Sequence, residues 1–142
     1  MSQDFYLGNP NLKKVGTEIQ FTKEQIQEYL RCKEDPVYFA MNYIKIISLD
    51  EGIVPFKMWD FQQELIESFH ENRFNIAKLP RQTGKSTTCV SYLLHYILFN
   101  DNVNVGILAN KLSTARDLLG RLQLAYEQLP LWLQPVSYTH LT

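Results

Sequence analysis

The sequence predicts an α/β fold in which a helical N-terminal part leads into the first strands of a parallel sheet. Three observations carry that prediction. Apolar residues recur at helical spacing as far as residue 72, and the period then switches to two short apolar runs, residues 74–79 and 103–109. Each run precedes a long amphipathic stretch, so the order is strand, helix, strand, helix. Between the first run and its helix stands Gly84-Lys85-Ser86, a sequence suited to holding phosphate.

Taken in order, residues 1–21 mix Gly, Asn, Pro and Lys with scattered apolar residues and read as an arm with little structure of its own. Residues 22–73 read as a helical subdomain. Thr22, with Gln25 three residues on, forms a capping box that opens a helix through Cys32. Asp35-Pro36 is a second start signal, an N-cap side chain followed by proline at the first helical position. Val37, Met41, Ile44 and Ile47 then make one apolar face. Residues 49–57, with Gly52 and Pro55, read as a loop. A third helix spans 59–72, with Phe61, Leu65, Ile66 and Phe69 inward.

Residues 74–135 read as the start of the α/β core. The run 74–79 stops at Pro80, as a buried strand does. A helix from 85 to 99 carries Val90, Leu93, Leu94 and Ile97, Asn100-Asp101-Asn102 turns the chain, and 103–109 is the second strand. The last helix, 113–129, has Leu118, Leu119, Leu122, Ala125 and Tyr126 on one face. Parallel strands joined through a helix need a right-handed crossover and helices on the sheet faces. Two strands do not complete such a sheet, so the chain reads as unfinished.

Composition narrows the function classes. The 142 residues, 45% hydrophobic and 20% charged, are ordinary for one globular domain or one with an appended subdomain. No apolar run approaches the roughly 18 residues that span a bilayer, and the N-terminus lacks a secretory layout, so no membrane is expected. Cys32 and Cys89 lie far apart without C-x-x-C spacing and read as free thiols in a reducing compartment. A formal net charge of −1 argues against a grip on nucleic acid by bulk electrostatics, so any DNA contact is local or lies elsewhere. His70, His95 and His140 have no partner at metal-ligand spacing and read as structural or exposed. Trp59 and Trp132 read as packing anchors. Lys111 and Arg116 read as an ordinary solvated helix start, with a DNA or nucleotide contact as the alternative.

The segment Leu79-Pro80-Arg81-Gln82-Thr83-Gly84-Lys85-Ser86 follows the pattern G-x-x-x-x-G-K-[ST] except at its first position, where Leu79 replaces glycine. Each part has a physical task. Backbone N–H groups of the loop and of the helix start face phosphate oxygens. Gly84 allows the backbone to approach closely. Lys85 adds a point charge against the terminal phosphates, and the Ser86 hydroxyl suits Mg2+, with Thr87 as an imperfect substitute. The alternative is a solvated helix N-terminus with Lys85 simply exposed.

The string 79–88, with leucine at the first glycine position and Arg81-Gln82 before Thr83-Gly84-Lys85-Ser86, resembles the deviant Walker A loop of large terminase subunits, the DNA-packaging ATPases of tailed bacteriophages. Trp59-Asp60-Phe61-Gln62-Gln63 is similar to the aromatic-glutamine adenine motif of the T-even-type branch. Cys32-Lys33-Glu34-Asp35-Pro36-Val37-Tyr38-Phe39 resembles its N-terminal helical region. Val105-Gly106-Ile107-Leu108-Ala109-Asn110-Lys111 and Leu129-Pro130, with Leu133-Gln134-Pro135, extend the likeness over residues 22–135.

The resemblance implies a P-loop NTPase-type parallel sheet and an ATPase that moves double-stranded DNA into a procapsid. Lys85 and Ser86 would handle the phosphates of ATP and the Mg2+, with Gln82, Thr83, Gly84 and Thr87 completing the loop. Arg81 would act in cis on the γ-phosphate, and Gln62 beside Phe61 would recognise adenine. A surface charge for Arg81 and a surface glutamine for Gln62 are the alternatives. Implied partners are the portal protein, the small terminase subunit and further copies of the chain. The implied place is the host cytoplasm and, transiently, the viral procapsid. No apolar strand ending in Asp-Glu occurs in the sequence, nor a nuclease domain, so the resemblance implies an N-terminal fragment with poor ATP turnover. Residues 136–142 do not resemble the family's continuation and read as foreign to it. A helicase-like DNA translocase and a non-enzymatic adenine-nucleotide-binding module are the competing functions.

Overall fold

Helices begin where the sequence places their caps. In the computed structural model, which describes residues 20–134, Thr22 Oγ1 accepts the Gln25 N–H at 3.2 Å and Gln25 Oε1 accepts the Thr22 N–H at 3.0 Å. This capping box opens α1 (Lys23–Glu34). Asp35 closes α1 and starts α2 (Pro36–Tyr43), its Oδ1 accepting the Val37 and Tyr38 N–H groups at 3.0 Å each. Pro36 sits at the first helical position, where its missing N–H costs nothing.

The apolar spacing that runs to Ile47 overstates α2. From Ile44 the chain is extended, and β1 (Lys45–Ser48) pairs antiparallel with β2 (Gly52–Pro55), Ile46 opposite Val54 and Ile47 opposite Ile53. The expected loop at 49–57 is therefore a hairpin, and Ile47 leaves the helical face for an exposed strand position. The cause is local. β-Branched pairs, Ile46-Ile47 and Ile53-Val54, flank a turn that ends on Gly52 at φ 75°, a conformation glycine adopts without strain. Ser48 Oγ accepts the Asp50 and Glu51 N–H groups at 3.3 and 3.4 Å.

The remaining helices, α3 (Asp60–Glu71), α4 (Lys85–Phe99) and α5 (Leu112–Glu127), begin and end within one or two residues of expectation. A 3-10 turn, Leu131–Leu133, follows α5. Helix α4 packs against α2, α3 and α5. Its Val90, Leu94, Leu98 and Phe99 form one buried core with Phe39 of α2, Ile66 of α3 and Leu122 and Ala125 of α5. Leu93 and Ile97 of α4, read as inward, are half-buried.

The two expected parallel strands are the main departure. Residues 74–79 and 103–109 run between helices without a ladder, and the one sheet among the described residues is the β1–β2 pair. What the described residues form is a mixed α/β arrangement of five α-helices and a two-stranded antiparallel sheet. Val103, Val105 and Ile107 are half-buried and alternate with exposed Asn104, Gly106 and Leu108, the period of a chain with one face down. Leu79 and Ile107, one from each run, line a hollow of about 270 Å³ beside Val90 and Leu93 of α4. The runs thus share a side of α4 yet exchange no hydrogen bonds, because a ladder needs strands at bonding distance. Phe74, Ile76 and Leu108 stand almost fully exposed as a result. Most of the expected arm at 1–21, and all of the tail at 136–142, lie outside the described residues.

Candidate phosphate-binding site

Helix α4 begins without a side-chain cap. Its N-cap is Gly84, left-handed at φ 72° and ψ 18°. Thr88 is the first residue whose N–H meets a helix carbonyl, that of Gly84 at 3.0 Å. The N–H groups of Lys85, Ser86 and Thr87 bond no group among the described residues. A serine or aspartate at the cap would have taken one of these donors. Glycine leaves all three for an anion, at the positive end of the helix dipole. Gln82 is also left-handed, at φ 61°, with Thr83 at negative φ between it and Gly84. Alternation of this kind gathers successive N–H groups into a concavity for anions.

The side chains around the loop sort clearly. Lys85 is exposed, and its Nζ donates a long hydrogen bond of 3.4 Å to the Leu79 carbonyl, which folds the ammonium back across the loop. Arg81 is exposed and pairs with no carboxylate among the described residues. Gln82 is exposed as well. Thr83 is half-buried and closes the turn, its Oγ1 donating to the Pro80 carbonyl at 3.0 Å. The half-buried Ser86 and Thr87 hydroxyls have no protein partner among the described residues, which leaves both able to take a cation. Ser86 is the better placed by sequence, directly after the lysine. These donors and this free hydroxyl fit a phosphate with its magnesium.

Thr88, which the sequence reading passed over, is fully buried, and its Oγ1 donates to the Gly84 carbonyl at 2.8 Å. The signal for it was a threonine four residues past the loop glycine, the spacing at which such a hydroxyl bonds back along a helix.

Gln62 is not a surface glutamine: it is only 4% exposed, on the side of α3 that faces the loop. Its Oε1 accepts the Trp59 N–H at 2.9 Å, and its Nε2 lies 3.4 and 3.5 Å from the carbonyls of Thr83 and Gly84. Trp59, read as a packing anchor, is 73% exposed, with its ring centroid 6.2 Å from that of half-buried Phe61. Trp132 does pack, edge-on to Tyr43 at 5.8 Å.

The other chemically active groups take no part in the site. Burial pushes the Cys32 thiol up to about 12, and burial raises Cys89 too, so neither is a ready thiolate. His95 is buried against the carbonyl of Cys32. Lys111 and Arg116 are exposed at the start of α5. Among the described residues no helix is long and apolar enough to cross a membrane. No protein-family model matches the chain.

Proposed function

We propose that this chain is part of a DNA-packaging ATPase of the large-terminase type, which uses ATP and Mg2+ to move double-stranded DNA into a viral procapsid. The observation that carries the reading is the uncapped N-terminus of α4. Among the described residues, a left-handed Gly84 leaves three N–H donors without a partner beside the Lys85 ammonium and an unpartnered Ser86 hydroxyl. That combination suits a polyphosphate.

In this reading the N–H groups of residues 85–87 hold phosphate oxygens, Lys85 neutralises the terminal phosphates, and Ser86 Oγ holds the magnesium, with Thr87 in reserve. The metal, when bound, offsets charge on the β- and γ-phosphate oxygens. Arg81, always charged and paired with no carboxylate among the described residues, is available to the γ-phosphate. The exposed Trp59 and half-buried Phe61 offer an apolar surface to a base. The particular loop, with Leu79 for glycine and Arg81-Gln82 ahead of Gly84, supports a packaging ATPase over a generic nucleotide binder. Portal protein, small terminase subunit and further copies of the chain are the partners this function calls for, on a procapsid in the host cytoplasm.

Calorimetric titration of the chain with Mg2+ and ATP tests the reading. Lys85→Ala is expected to weaken binding about tenfold or more, the worth of one charge-assisted contact. Its thermal unfolding should not change, because Lys85 is exposed and makes only the long bond to Leu79. Equal affinity in both proteins would remove the site from Lys85.

A further inference from the structure

The glutamine expected to read adenine has both ends of its amide turned to the protein backbone. The Trp59 N–H needs an acceptor and the Thr83 and Gly84 carbonyls need donors, so these partners determine which end of the amide is oxygen and which nitrogen. The fit on the loop side is close. A Cβ built on Gly84 would stand 2.6 Å from Gln62 Nε2, so a larger residue would push the end of the Gln62 side chain aside, and the positive φ itself favours glycine.

The two carbonyls are not held alike. That of Gly84 already receives the Thr88 N–H at 3.0 Å and the Thr88 hydroxyl at 2.8 Å, and Gln62 Nε2 at 3.5 Å adds little to it. That of Thr83 has Gln62 Nε2 as its one donor among the described residues. The peptide joining Thr83 to Gly84 is planar and trans, so its C=O and N–H point in opposite directions. With the carbonyl drawn in toward α3, the Gly84 N–H must face out. A glycine on one side makes that plane easy to turn over, and the reversed plane would present a carbonyl oxygen to an incoming anion.

We infer that Gln62 is a positioning residue for the phosphate loop, holding the Thr83–Gly84 peptide so that it presents N–H, not C=O, to phosphate. The inference rests on the phosphate-binding reading above and differs from adenine recognition in one respect: the effect of Gln62 is the same whatever base the ligand carries.

Calorimetry with ATP, GTP and inorganic tripolyphosphate, each with Mg2+, tests it on the full chain. Gln62→Met keeps the bulk and removes the donor. It is expected to weaken all three ligands by a common factor of roughly three to ten, the worth of one hydrogen bond, with the ATP-to-GTP ratio unchanged. In the wild-type chain the NMR signal of the Gln62 side-chain amide should shift as far with tripolyphosphate as with ATP, and not with adenosine. That measurement needs no variant to fold. A loss confined to ATP, or an amide that shifts with adenosine and not with tripolyphosphate, would overturn the inference and return Gln62 to base reading. Unchanged affinity for all three in Gln62→Met would reduce it to a cap for α3. If the wild-type chain binds none of the three, the phosphate-binding reading fails first and takes this inference with it.

Discussion

His95 carries the pH dependence that the structure allows at residue scale. Its Nε2 lies 2.8 Å from the Cys32 carbonyl, which only accepts, so the neutral ring keeps its proton on Nε2. The ring packs 4.7 Å from Phe99 and 5.5 Å from Phe39, between centroids. Burial holds its pKa below the ordinary 6.5. The carbonyl of Cys32 works against that shift, the His70 ring at 6.0 Å adds to it, and the Lys33 carbonyl and Asp35 carboxylate oppose it. A folded-state pKa below the unfolded value means that the unfolded chain takes up the proton first as pH falls. Stability is therefore whole above about 6.5 and is lost progressively below it, down to the depressed folded value. Urea midpoints are expected to fall between about pH 7.5 and about pH 5.5. His95→Gln, which can still donate to Cys32, should flatten that fall; an equally steep fall in the variant would place the dependence elsewhere. At this same scale the glycine was legible in sequence: Gly84 stands left-handed at the start of α4, a conformation that glycine adopts without strain. The burial of Gln62 was not, because Gln62 and Gln63 differ only in which way the helix turns them.

At the scale of elements, single capping residues govern where helices start. Asp35 ends α1 and starts α2, so the two helices meet at one residue. Tyr38 and Tyr43 of α2 also donate hydroxyl protons to Glu28 of α1, Tyr43 at 2.6 Å, and these bonds, Tyr43 first, hold the Glu28 carboxyl below its ordinary range. Asp35→Ala should cost about 1 kcal/mol in a urea unfolding experiment, and Asp35→Asn much less, since the amide oxygen still accepts from the Val37 and Tyr38 N–H groups. Similar losses in both variants would mean that charge, not the hydrogen bonds, matters there. The start signals were legible for this reason: a cap acts within three residues, and three residues are visible in sequence. The end of α2 was misread because Ile47 keeps the helical spacing of three from Ile44 although the chain has already become extended at Ile44. The turn ending on Gly52, flanked by β-branched pairs, was the better signal and outweighed the spacing.

For the whole molecule the question is what holds the chain between helices. The core around α4 is continuous from α2 to α5 and does not depend on residues 74–79 or 103–109. Those two runs make no backbone–backbone hydrogen bond among the described residues and expose Phe74, Ile76 and Leu108. Hydrogen exchange is expected to divide the chain accordingly, with slow amides at Leu94 and Leu98 of α4 and near-free exchange through 74–79 and 103–109. Protection of the two runs to the level of α4 would show that they have found strand partners, and a change in that protection with protein concentration would identify the partner as another copy of the chain.

By itself the sequence determined the caps and, among the described residues, four of the five helices nearly to the residue, because each depends on neighbours a few positions away. α2 it began correctly and ran too long. Only the tertiary structure decided the rest: that Gln62 turns its amide to the loop backbone, that Trp59 faces solvent, and that the two apolar runs lie by α4 without a ladder. These depend on which distant groups come within bonding distance. A glutamine has the same side chain wherever its helix packs, and a strand forms only where another strand lies beside it to receive its N–H groups.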